Sequence, residues 1–513
     1  MAIPPWLVLG AVVAGPALGQ TPGPPPVDIA MTVRPVRSGG SEVVAIAVRT
    51  EIRGSLDRTA STFSARAPIT YAGVRHIADR VDSLVVRDAT GVLALRVEDD
   101  RTNPAGFPYY RHWRGDRPVV PPVVMTYRMR PFVGVPIAGP QFDFYVHGGG
   151  ISSGGMALFV IPENIANATS HVRWDLTDLS DGSIAASSYG EGDFDTTGPP
   201  EQLIQAYYMV GPLGRYTPPA SSSSGFRAYW LGQPLFDAPR EMAWAFRAYE
   251  YQKRFYQDTS ASPYRVFVRA IPGAAGSLGG TALGRSFMVG TPAGAPDSTR
   301  TAARGTIAHE MGHMWVGGLA GGGVGGTTWF NEGLNVYYTR LLLLRSGLSP
   351  VADYERDVNS SARGYFSSPY RTVSADSIAR LGFSTGIGAG SAQNLPYVRG
   401  SLYFADVDAK IRAASGGRRK LDDVMLPLFA RRRNGEQIDR RSLVDALVKE
   451  LGPSARDEFE AVIIRGELLE PASGAFGPCF ERRPTTYTLN GRESSGFEWL
   501  RVTGVPDSEC RKW

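Results

Sequence analysis

Residues 43 to 176 alternate short apolar runs with polar breaks, and inside the runs apolar and polar positions partly alternate. The runs are VVAIAVRTEI (43–52), DSLVVRD (82–88), GVLALRVED (91–99), VVMTYRMR (123–130), FDFYVHG (142–148), MALFVIP (156–162) and HVRWDL (171–176), punctuated by Gly, Pro, Asp and Asn. That is the signature of short strands with one face in a core, and it predicts an N-terminal β-rich, sandwich-like domain over 28–190. Beyond it the period changes. REMAWAFRAYEYQKRFY (240–256) spaces its apolar residues as a helix does, YRVFVRAIP (264–272) reads as a strand, and the glycine-punctuated GSLGGTALGRSFMVG (276–290) reads as another. Helical spacing returns around residue 310, from about Asn331 to Arg345 with Gly347 as its stop, and at 398–413, 421–433 and 440–451. Strands first and helices after predict separate domains: the β-rich one, an α+β one over 191–415, a helical region over 416–470 and a tail over 471–513.

Composition narrows the class. Hydrophobic residues make up 43% and charged residues 20%, which suits a globular chain. The net charge is only +5 and rests on arginine, with Lys253, Lys410, Lys420, Lys449 and Lys512 the only lysines. So mild an excess, spread so widely, is no nucleic-acid footprint. The arginines at Arg418 and Arg431–Arg433 read as solvated helix faces.

At the N-terminus an apolar run from Trp6 to Ala14 ends in small residues, with Ala17 and Gly19 in the small-x-small pattern of a cleaved export signal over 1–19. A Pro-rich linker over 20–27 follows. The run is too short to span a bilayer, and no later stretch reaches the ~20 apolar residues a membrane helix needs. The expectation is a periplasmic or secreted protein with no stable membrane insertion once the signal is removed. Two cysteines, Cys479 and Cys510, are too few for a structural zinc site. In an exported chain they close a disulfide that pins the tail, or else stay as free thiols.

The candidate chemistry lies in TIAHEMGHMW (306–315), which holds two of the six histidines. A helix turns about 100° per residue, so His309 and His313 share one face, one turn apart, and both imidazoles can reach one zinc ion. Glu310 lies beside the coordination position left for a water, completing His-Glu-x-x-His. A catalytic zinc needs a third protein ligand, and Glu332 in WFNEG (329–333) supplies it, with eighteen residues between it and His313. The glycine run 317–326 gives the connection freedom to turn; it lacks the Lys-Ser/Thr and preceding strand of a phosphate loop. His76, His112, His147 and His171 have no ligand spacing and read as structural or surface residues.

His-Glu-x-x-His, eighteen residues, then Asn-Glu-Gly resembles the gluzincin metallopeptidases, the superfamily of the zinc aminopeptidases and leukotriene hydrolase. WFNEGLNVYYTRLLLLRSG (329–347) resembles most the glycyl aminopeptidase family within it. The resemblance covers roughly residues 190–450 and implies a β-domain ahead of a thermolysin-like catalytic domain with one zinc ion and a peptide substrate. It implies further that His309, His313 and Glu332 hold the ion, that Glu310 is general base and acid, and that Tyr397 stabilises the oxyanion. Tyr397 fits a Tyr-x-Lys/Arg-Gly setting through Arg399 and Gly400, whereas Tyr337, Tyr338 and Tyr403 read as core residues.

Two departures stand out. Where zinc aminopeptidases of the larger branch carry Gly-x-Met-Glu-Asn, this chain has GGTALGRSFMV (279–289), with no carboxylate to grip a free amine. The backbone role, an edge strand that pairs with the substrate, falls to Gly279, Gly280, Thr281 and Ala282. Arg285 reads either an acidic substrate group or solvent. The tail from Pro471 is half the ~80–90 residues a PDZ module needs, so no PDZ module is expected. Exo- and endopeptidase action both stay open. So do two other classes: a non-catalytic envelope binding or scaffold protein, and a zinc hydrolase of a non-peptide substrate.

Overall fold

The computed structural model describes residues 27–40, 42–54, 62–102, 108–134, 136, 139–220, 222, 225–274, 278–322, 326–382 and 389–513. The expected signal over 1–19 and all but the last residue of the linker over 20–27 lie outside them. The described chain forms two compact units: a strand-rich one, up to Ala243 together with Ala261–Ala303, and a helical one, Trp244–Ser260 together with Arg304–Trp513. The sequence pattern puts its change of character at 190/191; by packing, residues 191–243 and 261–303 group with the strands before them.

In the strand-rich unit, Val27–Arg37 shows how pattern becomes structure. Ile29, Met31 and Val33 are buried and Thr32 and Arg34 exposed, the period of two that a pleated strand imposes. This strand pairs antiparallel with Val43–Arg53 and parallel with Ala168–Trp174, at the heart of a seven-stranded sheet. Two further sheets complete the front of the unit, one built around Tyr207–Gly211 and one around Thr62–Tyr71 and Tyr109–Pro118. Among the described residues the front half therefore holds three sheets, where a simple sandwich has two. Three expected strands change. GVLALRVED divides into Gly91–Val92 and Leu95–Asp99, which belong to different sheets. MALFVIP is a 3₁₀ turn at Gly155–Ala157 and a two-residue strand at Ile161–Pro162. Met156 to Ile161 are buried on every side, and an apolar run without alternation cannot reveal its backbone. FDFYVHG contributes only Tyr145–His147.

A fourth sheet has the order Gly214–Tyr216, Phe226–Leu231, Tyr264–Ile271, Ser286–Pro292 and Gly279–Leu283. Its first two long strands are parallel, joined by helix α1 (Ala238–Phe255), as a parallel pair requires a crossover. The expected single strand at 276–290 is a hairpin: Gly279–Leu283 and Ser286–Pro292 meet at a turn where Gly284 takes φ +55°. Gly279–Leu283 is the edge strand.

The helical unit holds the C-terminal part of α1 and then α2 (Arg304–Gly312), α3 (Thr328–Asn331), α4 (Gly333–Arg345), α5 (Val351–Phe366), α6 (Ala375–Gly382), α7 (Ala389–Ala414), α8 (Asp422–Arg433) and α9 (Arg440–Leu451). The helix expected from Asn331 to Arg345 is two, broken at Glu332. Helix α7 starts at Ala389, well before the expected residue 398, and runs through Pro396, a residue that normally marks a helix boundary. Aromatic rings cement the core: Tyr256 stacks on Trp315 at 5.0 Å and meets Phe429 edge-on at 5.5 Å, contacts worth ~0.5–1.5 kcal/mol each beyond burial. The tail forms a hairpin, Phe480–Leu489 with Arg492–Arg501, and Cys479 is bonded to Cys510 with their Cα atoms 5.5 Å apart. Asn359 of α5 exchanges two 2.8 Å hydrogen bonds with the Trp499 backbone, docking that hairpin. Among the described residues no helix is long and apolar enough to cross a membrane.

Candidate metal centre

Helix α2 carries His309, and His313 follows directly on its last residue, Gly312, so that the two rings lie 4.7 Å apart and nearly perpendicular. Glu332, fully buried, sits in the break between α3 and α4. Its Oε2 lies 3.0 Å from His309 Nε2 and 3.4 Å from His313 Nε2, and the two nitrogens are 3.2 Å apart. Among the described residues this is the one group of three or more His, Cys, Asp or Glu side chains close enough to share a metal ion.

The donor set can be tested for fit. Zinc–nitrogen and zinc–oxygen bonds of about 2.0–2.1 Å in a tetrahedron put neighbouring ligand atoms about 3.3–3.4 Å apart. Edges of 3.0, 3.2 and 3.4 Å describe one face of such a tetrahedron, slightly contracted. Two imidazoles and a carboxylate are also the donors that zinc accepts in hydrolytic sites, with the fourth corner left for solvent or substrate. The residues fit the ion.

Neighbouring groups hold each donor. Asn331 Nδ2 donates to Glu332 Oε1 at 3.0 Å, leaving Oε2 turned to the imidazoles. The His313 ring is also hydrogen-bonded to the Val316 backbone, which fixes its orientation. Gln252 of α1, buried, donates to the Ala308 carbonyl at 3.0 Å, and Trp315 Nε1 donates to Asp258 at 3.0 Å, so α2 is gripped just before and just after the histidines. The asparagine was legible only as a letter of the Asn-Glu-Gly motif; Gln252 gave no signal, because its role exists only across helices.

Tyr397 reaches the same place through α7. Its ring lies 6.3 Å from that of His309, within 26° of parallel. The approach depends on two glycines: a Cβ at Gly333 would fall 2.5 Å from Gly400 Cα, and one at Gly400 would fall 2.1 Å from the Trp329 carbonyl oxygen. The helix that begins after Glu332 and the helix bearing Tyr397 thus touch backbone to backbone. Glu310, 2% exposed, follows His309 on α2. Tyr337, Tyr338 and Tyr403 are buried among aromatic rings.

Electrostatics follow the geometry. Burial opposes the charge on Glu332, but the two imidazoles outweigh it and hold its carboxyl at about 2. Burial pushes His309 down, favouring the neutral imidazole that a metal requires. At His313 burial is outweighed by the Glu332 charge, which raises it.

The remaining sequence candidates lie in the strand-rich unit. Gly279, Gly280, Thr281 and Ala282 belong to the edge strand. Thr281 is already engaged there: its Oγ1 accepts from Gln141 N at 2.9 Å and its carbonyl from Tyr207 Oη at 3.1 Å. Arg285 is exposed at the tip of the hairpin. His112 bridges Asp100 and Glu163, His171 bridges Asp28 and Asp195, His76 pairs with Asp79, and His147 bonds Ser152.

No protein-family model matches the chain, and no curated protein matches it in sequence. Solved structures share its fold. An aminopeptidase N family protein from Idiomarina loihiensis superposes with a TM-score of 0.69 at 15% identity, over 89% of this chain and 79% of that one. Native yeast LTA4 hydrolase superposes with a TM-score of 0.51 at 13% identity, over 87% of this chain and 69% of that one. A strand-rich N-terminal part followed by a helical part is the arrangement this chain has in common with them.

Proposed function

We propose that this protein is a zinc-dependent metallopeptidase, a gluzincin whose motifs lie nearest the glycyl aminopeptidase family and whose catalytic part is thermolysin-like. One observation carries the reading: three donor atoms, from His309, His313 and Glu332, stand 3.0–3.4 Å apart with the Tyr397 ring beside them. The shared fold with an aminopeptidase N family protein and LTA4 hydrolase supports the same class.

When bound, one zinc ion supplies Lewis acidity, polarising a peptide carbonyl and making water a better nucleophile near neutral pH. The side chains then divide the work. His309 and His313 offer neutral Nε2 atoms and Glu332 one negative oxygen, which leaves a corner free. Glu310 takes a proton from the attacking water on its carboxylate and passes it to the nitrogen of the leaving amine. Tyr397 donates its hydroxyl hydrogen to the oxygen of the scissile carbonyl as negative charge develops there. The edge strand at Gly279, Gly280, Thr281 and Ala282, with Arg285 at its hairpin tip, keeps the substrate-binding role read from sequence. Export to the periplasm or exterior belongs to the same proposal; the Cys479–Cys510 bond, which survives in oxidising compartments, supports it.

The full-length protein, given peptides with free and with acetylated N-termini, is expected to cleave at peptide bonds in a chelator-sensitive, zinc-restored manner. Glu310→Gln is expected to keep its zinc and lose turnover by roughly 10²–10⁴-fold. Undiminished turnover in that zinc-loaded variant removes the base assignment. Cleavage of acetylated peptides at internal bonds removes the aminopeptidase label and leaves the peptidase.

A further inference from the structure

Helix α2 ends at Gly312, and the chain just past it turns back onto the last carbonyls of the helix. Backbone amides beyond the end take two of them: Met314 N bonds the Met311 carbonyl at 3.1 Å, and Val316 N bonds that of Gly312 at 2.8 Å. The His309 carbonyl has a side-chain donor from another helix. It accepts from Asn335 Nδ2 at 2.8 Å. Asn335 lies on α4, three residues past Glu332, and its exposure is 0%. Its place is reserved by an absent side chain, since a Cβ at Gly312 would fall 1.9 Å from Asn335 Oδ1. Glycine at 312 admits the amide, and the amide ties the backbone of one donor residue to the helix that begins at another.

We propose that Asn335 is a positioning residue for the His309–His313–Glu332 centre, setting the register of α4 against α2 and so the separation of the carboxylate from the two imidazoles. The inference rests on the reading that these three residues hold a divalent ion. Asn335 touches neither the donors' side chains nor a substrate in this role; it acts through the backbone of His309. A lone pair and a polar hydrogen buried between two helices also stabilise the fold, so the test needs a readout that general stability does not move.

That readout is metal affinity and the visible spectrum of the cobalt-substituted protein, which reports ligand geometry. In the full chain, Asn335→Ala is expected to weaken zinc binding roughly 10–100-fold, the usual cost of removing a group that orients a ligand, and to alter the cobalt bands. Gly312→Ala should produce a loss of the same order, because its methyl displaces the amide. Adding Gly312→Ala to Asn335→Ala should cost little more, since the space is already vacated; such coupling marks residues acting as one unit. Should Asn335→Ala fail to fold, Asn335→Ser removes the cross-helix bond more gently, and the same shifts in affinity and spectrum are expected of it. If the wild type binds zinc tightly and the Asn335 variants match it within twofold, with unchanged cobalt bands, the positioning role is overturned while the centre stands. If the wild type binds no zinc, the centre itself is overturned.

Discussion

His313 and His112 are buried to a similar depth, with side-chain exposures of 7% and 10%, and each has carboxylates in reach. Only around His313 do a second imidazole and a carboxylate converge closely enough to share an ion. His112 points Nδ1 at Glu163 and Nε2 at Asp100, 2.9 and 3.1 Å away on opposite sides of the ring. Its two acids therefore face away from each other and cannot meet on one ion. His313 turns Nε2 toward the same glutamate oxygen that His309 Nε2 faces. Burial and acidity are common to both places; convergence is what separates a centre from a pair of ion pairs. A helix supplies convergence locally, because residues four apart share a face. Strand residues meet partners one strand at a time, as His112 does.

The largest expected effect swaps the two regions. His313→Ala should abolish both zinc retention and peptide cleavage, whereas His112→Gln should leave zinc content and turnover at wild-type levels, as measured by elemental analysis and a peptide assay. Loss of zinc from His112→Gln would erase the distinction. Next, Tyr397→Phe keeps the ring beside His309 and removes only the hydroxyl. Turnover should fall by roughly 10²–10³-fold with zinc content unchanged and KM nearly so, the pattern of a group that acts on the transition state.

Acid should expose a third histidine environment. His147 is buried beside Arg269, and burial first, then that guanidinium, hold it at about 3. The unfolded chain takes up this proton near pH 6.5 and the folded protein only near 3, so stability declines as pH falls through that window, by up to ~1.4 kcal/mol per unit. His147→Gln should flatten that part of the unfolding-versus-pH curve; an unchanged slope would contradict the burial argument. The smallest effect belongs to His171, which bridges Asp28 and Asp195 at a more exposed position. His171→Ala should shift unfolding in urea by no more than ~1 kcal/mol.

The same contrast explains what was readable beforehand. His309, Glu310, His313, Glu332 and Tyr397 were legible because each sits at a fixed distance from a neighbour along the chain. Asn335, Gln252 and Gly312 were not: their roles exist only where one helix crosses another. Helix α5 is hard to read from sequence although Val351, Tyr354, Val358, Ala362 and Tyr365 form a helical stripe, because the Asn-Ser-Ser-Ala-Arg-Gly stretch at 359–364 carries weak helix formers. In the front half the alternating strands were readable from their period of two, while MALFVIP, enclosed on all sides, offered no period to read.

Whether two imidazoles and one carboxylate hold a single ion is decided by zinc binding to the metal-free protein, followed by X-ray absorption at the zinc edge. The expected result is one tightly held equivalent, coordinated by two imidazole nitrogens with light oxygen neighbours at about 2.0–2.1 Å, and loss of that signal in Glu332→Ala. Zinc bound with unchanged stoichiometry and unchanged shell in Glu332→Ala, or no tight zinc in the wild type, would contradict it.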